Sequence, residues 1–142
     1  HARGSSAGKH YRYVLNGPDP ETSWQVVPEL NLEAMREALT YIQGAHDFSS
    51  FRAAGCTAGT IVKTIYEATL TESPEGLLID LHGDAFLRQM IRILVGCLCE
   101  IGTGLRKPED IKTILDARSR AAAGITAPAC GLTLVKVRCK TD

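Results

Sequence analysis

Residues 84–103, DAFLRQMIRILVGCLCEIGT, read as one long helix and decide how the rest of the chain is arranged. At about 100° per residue, Phe86, Leu87, Met90, Ile91, Ile93, Leu94, Val95, Leu98 and Ile101 cover most of the circumference. Arg88, Gln89, Arg92, Gly96 and Glu100 fall on the narrow polar arc that remains. A helix this apolar is buried, so Arg92 is sheltered, beside a glycine that lets another backbone or a ligand come close. An unpaired buried charge costs several kcal/mol, and the expectation is a carboxylate or phosphate facing that guanidinium.

Working outward, Ile61 to Leu70 (IVKTIYEATL) and Leu77 to His82 (LLIDLH) are β-rich runs on either side of a Glu-Ser-Pro-Glu-Gly turn, a hairpin that feeds directly into the long helix. Further upstream, Asn31 caps LEAMREALTYIQ, with Leu32, Met35, Ala38, Leu39 and Ile42 on one stripe and Gly44 just past its end. The segment that follows, HDFSSFRAAGCTAGT, reads as a loop, although it carries two Phe, an Arg and an Asp. Near the start, KHYRYVL alternates, with Tyr11, Tyr13 and Leu15 on one face and His10, Arg12 and Val14 on the other. Downstream, Lys107-Pro108-Glu109-Asp110 opens a short helix that buries Ile111, Ile114 and Leu115. A small-residue connection, AAAGITAPACG, then delivers a closing strand from Leu132 to Cys139. Strand, helix, strand, strand, helix, short helix, strand predicts an α+β fold: an antiparallel sheet with helices on one face, in the split β-α-β-β-α-β (ferredoxin-like) pattern.

A chain of 142 residues with 44% hydrophobic content supports one domain with its own core. A strand this close to residue 1, without an entry element, leads to the expectation that the chain belongs to something longer. Sixteen basic and sixteen acidic residues give zero formal charge, so any polyanion site is local rather than a property of the whole molecule. Five cysteines, an odd number without CxxC spacing, argue against a disulfide framework and a Cys-rich zinc site and for a reducing, intracellular setting. Neither a signal-peptide core nor a run long enough to span a bilayer is seen.

Cys97 and Cys99, two apart on a helix, point to different sides and read as core packing. Cys56 with His46 and Asp47 offers a nucleophile, a base and an orienter on paper, but nothing in their spacing requires it. GxGxxG, P-loop, HExxH and GxSxG motifs are absent. Basic residues gather at Lys9, His10 and Arg12, at Arg88 and Arg92, and at Lys136, Arg138 and Lys140; taken alone they read as solvated faces, as Tyr11 reads as strand packing.

Four stretches taken together change that reading. HARGSSAGKHYRYVL, GAHDFSSFRAAGC, DAFLRQMIRILVGCLCEIGTG and the final AP-x-x-GLTLVKV resemble, in order and spacing, the C-terminal half of the TruA family of tRNA pseudouridine synthases. The resemblance implies an RNA-modifying isomerase in which an Asp attacks a target uridine and the base is detached, turned and rejoined through carbon, with no metal or organic cofactor. Tyr11 in KHYRY matches the tyrosine that stacks on the target base and assists removal of the C5 proton. Arg92 in QMIRILVG matches the arginine that pairs with the catalytic Asp, and Leu132 in GLTL the apolar residue closing the pocket beneath the uracil. Asp47 and Arg52, in a segment that resembles a family stretch beside the cleft, are expected to have structural or RNA-positioning roles, and with the basic Arg12 and Arg88 they complete the expected substrate-binding set. The physical logic agrees: a paired carboxylate stays ionised for attack, and an aromatic ring under a flipped-out base is worth about 1–3 kcal/mol.

The family's Gly-Arg-Thr-Asp-Ala-Gly-type motif, which carries the nucleophile, has no counterpart here. Asp80 alternates within a strand, Asp84 stands at a helix start where Asp commonly caps, and Asp47 belongs to its own motif, so none of the three replaces it. The expectation is a C-terminal catalytic domain, inactive alone, of an enzyme that acts on the tRNA anticodon arm as a homodimer. The alternative is a catalytically idle RNA-binding or assembly module on the same scaffold. No membrane and no nucleotide cofactor are implied.

Overall fold

The computed structural model describes residues 8–26, 29–53, 62–86 and 88–138, with no side-chain description at 88 and 136–138. Five strands form a single antiparallel sheet: β1 (Gly8–Leu15), β2 (Gly44–Asp47), β3 (Val62–Ser73), β4 (Gly76–Gly83) and β5 (Leu132–Arg138), in spatial order β2-β3-β4-β1-β5. Three helices accompany it: α1 (Leu32–Ile42), α2 (Arg88–Gly102) and α3 (Asp110–Ala117). The fold is α+β, as the pattern of apolar residues predicts. No helix among the described residues is long and apolar enough to cross a membrane.

Alternation along β1 decides what the sheet buries. Tyr11, Tyr13 and Leu15 pair with Leu81, Ile79 and Leu77 of β4 and join one core with Met35, Leu39 and Ile42 of α1 and Met90, Leu94 and Leu98 of α2. His10, Arg12 and Val14 point to the other face, beside His82, Asp80 and Leu78. The apolar stripe of α1 is buried at Met35, Ala38, Leu39 and Ile42, and Asn31 Oδ1 accepts the Ala34 N–H at 3.0 Å, closing the helix start as expected. Ile111, Ile114 and Leu115 of α3 are likewise buried.

Three local readings need correction. The long helix begins at Arg88, not Asp84. The Asp84 carboxylate does not cap it; Oδ1 accepts the Ala85 N–H at 2.7 Å and reaches across to the Thr64 N–H at 3.0 Å, tying the β4 exit to β3. The stretch read as a loop starts within the edge strand β2, paired with Val62 to Ile65, and continues into a 3-10 turn at Ser49–Phe51, while its residues 54–60 lie outside the described residues. Phe48 and Phe51, its two aromatics, are fully buried, and this is why a connection carries them. Ser50 is buried between them: its hydroxyl donates to the Ile114 carbonyl at 2.6 Å and accepts the Ser119 N–H at 2.8 Å, locking the turn to the end of α3.

Candidate active site

The polar arc of α2 is a track for a strand-like strap. Arg92, Gly96 and Glu100 lie four residues apart, hence one above another, and residues 124–128 run along them. A Cβ built on Gly96 would stand 1.8 Å from the Ile125 carbonyl oxygen, so only glycine admits this backbone. One on Gly124 would stand 2.0 Å from Glu100 Oε1. Glu100 is itself held by Arg106 Nε at 2.8 Å, and the Gly124 N–H donates to Cys97 Sγ at 3.2 Å. The glycine beside Arg92 therefore receives a backbone, one of the two partners its position suggests.

Arg92 closes the track. Its Nε–H donates to the Ala127 carbonyl at 2.7 Å, and its own main-chain carbonyl accepts the Ala127 N–H at 2.9 Å. The carboxylate expected of a sheltered arginine is not found among the described residues. A carbonyl holds the Nε edge, and the two Nη groups have no partner there. One residue along, the Tyr13 hydroxyl donates to the Pro128 carbonyl, and the Tyr13 ring fills the space a Cβ on Gly131 would need. Burial pushes the Tyr13 hydroxyl well above the ordinary phenol range, with Cys130 and Cys99 adding to the shift and the charge of Arg92 opposing it. The hydroxyl is thus a permanent donor at neutral pH.

Tyr11 and Leu132 stand on the same side of the sheet. Tyr11 is opposite Leu134 and Tyr13 opposite Leu132 across the β1–β5 pair, and directly opposed residues share a face. Tyr11 is 8% exposed and meets the edge of Phe86 with centroids 5.7 Å apart; Leu132, just past the strap, is also 8% exposed. Phe86 comes from the β4–α2 connection, so Tyr11 is clasped between the sheet and the approach to α2. Arg88 opens that helix one turn before Arg92.

The other candidates lie apart from this group. Arg12 projects to the opposite face, where its Nε–H donates to Asp80 Oδ1 at 2.9 Å; His10 Nε2 bonds the same oxygen at 2.6 Å and stacks on His82 at 3.9 Å. Asp47 ends β2 at the far edge of the sheet. Its carboxylate accepts both the N–H and the hydroxyl of Ser49, and Arg118 Nε is 3.7 Å away. Burial alone would raise this carboxyl, but the two Ser49 bonds and the charges of Arg118 and Arg52 outweigh it and hold it below the usual carboxylate range. Arg52 follows the 3-10 turn and is half-buried.

Each of the three aspartates weighed as a substitute nucleophile is thus engaged: Asp47 by Ser49, Asp80 by His10 and Arg12, Asp84 by Thr64 and Ala85. Cys97 and Cys99 are buried in the core, and burial pushes the Cys99 thiol up to about 12, leaving it protonated at neutral pH. Cys56 and Lys140 lie outside the described residues. Sequence reasoning did not reach Tyr13 and the strap; the stacked spacing of Arg92, Gly96 and Glu100 marks the track on α2 but not the segment that fills it.

A family model described as tRNA pseudouridine synthase matches residues 38–139. The tRNA pseudouridine synthase A of Syntrophotalea carbinolica is 42% identical over 143 residues, covering 96% of this chain and 57% of the relative. That of Geobacter sulfurreducens is 42% identical over 142 residues, with 96% and 58% covered. The enzyme of the same name from Anaplasma phagocytophilum is 41% identical over 143 residues, again with 96% and 58% covered. The chain therefore spans a little under three-fifths of the curated relatives it matches. A match running from α1 through the strap to β5, over well more than half the chain, places this chain in the tRNA pseudouridine synthase family.

Proposed function

We propose that this chain forms the C-terminal part of the catalytic unit of an enzyme that isomerises uridine to pseudouridine in tRNA, in the anticodon arm, and that the nucleophilic aspartate comes from outside these 142 residues. The observation that carries the reading is Arg92: a guanidinium on the narrow polar arc of a largely apolar helix, aimed by one bond to the Ala127 carbonyl, with its Nη groups unmatched by any carboxylate among the described residues. Such a group, pre-oriented by one edge, would receive an aspartate in a fork of parallel N–H bonds and keep it ionised. Tyr11 would stack on the extruded base, and Leu132 would close the pocket against water. Arg88 would meet the phosphate backbone, while Arg12, Asp47 and Arg52 would act by holding the frame.

We read the sheet as the split β-α-β-β-α-β frame, with β2 added at one edge. At the other edge, β5 leaves Leu134 47% and Val135 45% exposed, one on each face of a strand with a free edge among the described residues. We assign the rest of the catalytic cleft, and the partner half of the enzyme, to that side.

Release of tritium from tRNA labelled at uridine C5 tests this, using the complete protein with this chain alone as control. Release by the complete protein only is the expected result. No release from either, on a broad tRNA pool, would contradict it.

A further inference from the structure

Arg92 and Tyr13 grip two consecutive carbonyls. Nε–H of Arg92 holds Ala127, the Tyr13 hydroxyl holds Pro128, and the strap between Gly96 and β5 is fixed from both the helix and the sheet. Leu132 follows four residues on, directly opposite Tyr13 in the β1–β5 register. We propose that Tyr13 is a positioning residue for the reaction: by holding the strap at Pro128 it sets the carbonyl that aims the Arg92 guanidinium, and with it the floor residue Leu132.

Three features carry the proposal. The strap's other bonds come from α2 and its sequel: the Ala127 N–H to the Arg92 main-chain carbonyl, the Gly124 N–H to Cys97 Sγ and Arg120 to the Thr126 hydroxyl. Gly96 only allows the close approach, so Tyr13 is the tie from the sheet side. Arg92 makes its only side-chain hydrogen bond among the described residues to this strap, so movement of the Ala127 carbonyl turns the guanidinium. Tyr13 reaches 115 residues along the chain to bond Pro128, so no local segment can make up for its loss. An error of about 1 Å in a reacting group costs on the order of a hundredfold in rate, and a loosened strap lies within that range.

This inference rests on the catalytic role given to Arg92 above, and its test carries a readout independent of turnover. In the complete protein, Tyr13→Phe keeps the ring against Gly131 and Trp24 and removes the hydroxyl alone. The single-turnover rate should fall about tenfold, the equivalent of one hydrogen bond, with tRNA affinity unchanged. Hydrogen exchange of the Arg92 Nε–H, followed by NMR on arginine-labelled protein, should quicken by a comparable factor. Gly96→Ala, which drives a Cβ into the strap, should act in the same direction on both readouts. If Tyr13→Phe lowers the unfolding midpoint while Nε–H protection and the single-turnover rate of the folded enzyme stay at wild-type values, Tyr13 is only a structural residue and the proposal is overturned. If the wild-type protein makes no pseudouridine, the functional reading fails, and the Nε–H exchange still decides whether Tyr13 aims Arg92.

Discussion

Arg12 and Arg92 are both half-buried arginines packed against the same sheet, one on each face, and they end in opposite ways. Arg12 on β1 meets Asp80 on the neighbouring β4, its direct cross-strand partner, and His10 shares the same carboxylate oxygen. The charge is closed within the chain. Arg92 on α2 has a main-chain carbonyl where Arg12 has a carboxylate, and among the described residues only its Nε is engaged. The carbonyl orients the guanidinium without neutralising it. Burial is therefore not what separates the two; under the function proposed above, the chemistry of the partner, and which edge of the guanidinium it takes, marks Arg12 as framework and Arg92 as presented to a reactant.

The contrast can be broken from either side. In the complete enzyme, Arg92→Ala should lower single-turnover pseudouridine formation on the order of a hundredfold or more, as for loss of a preorganised electrostatic partner, while tRNA affinity stays close to wild type. Filter binding and tritium release on the same preparation check both halves. Asp80→Ala should do the reverse. Leaving Arg12 and His10 without the carboxylate they share should cost about 1–3 kcal/mol in urea unfolding, with turnover of the folded enzyme little changed. A smaller effect is expected at Asp47. Its folded-state carboxyl lies below the usual range, so the stability it adds is complete above its ordinary, unfolded value and drains away as pH falls toward the depressed folded one. Urea midpoints measured from neutral pH down through the carboxylate range should fall more steeply in the wild type than in Asp47→Asn; equal slopes would remove Asp47 from the account.

Much of this frame was legible because period and burial coincide. The alternation of KHYRYVL, the stripe of α1 and the nearly all-apolar circumference of α2 from Met90 to Ile101 each mark residues that meet the core, and the structure buries them there. β2 was not legible, because Gly-Ala-His-Asp has none of the β-branched residues that mark a strand; its conformation comes from pairing with β3 rather than from its own preference. The early helix start at Asp84 misled for a related reason: an Asp before an apolar run looks like a cap, but a carboxylate one residue from a strand end finds the neighbouring strand's amide first. At the candidate site, the sequence marked Arg92 and the glycine beside it, yet not what fills the glycine's space. That answer is the backbone of Ile125, far along the chain, and nothing in residues so small and featureless as Gly-Ile-Thr-Ala-Pro announces which helix they will lie on.

The most direct measurement is on the Nη groups of Arg92 in the complete enzyme, by NMR on arginine-labelled protein with and without replacement by asparagine of the aspartate proposed to face it. A guanidinium held in a fork by a carboxylate should show slowed rotation and distinct Nη signals in the wild type, collapsing to an averaged signal in the aspartate variant. The same averaged signal in both proteins would mean that no carboxylate meets Arg92, and the reading of this helix as the presenter of a catalytic arginine would be wrong.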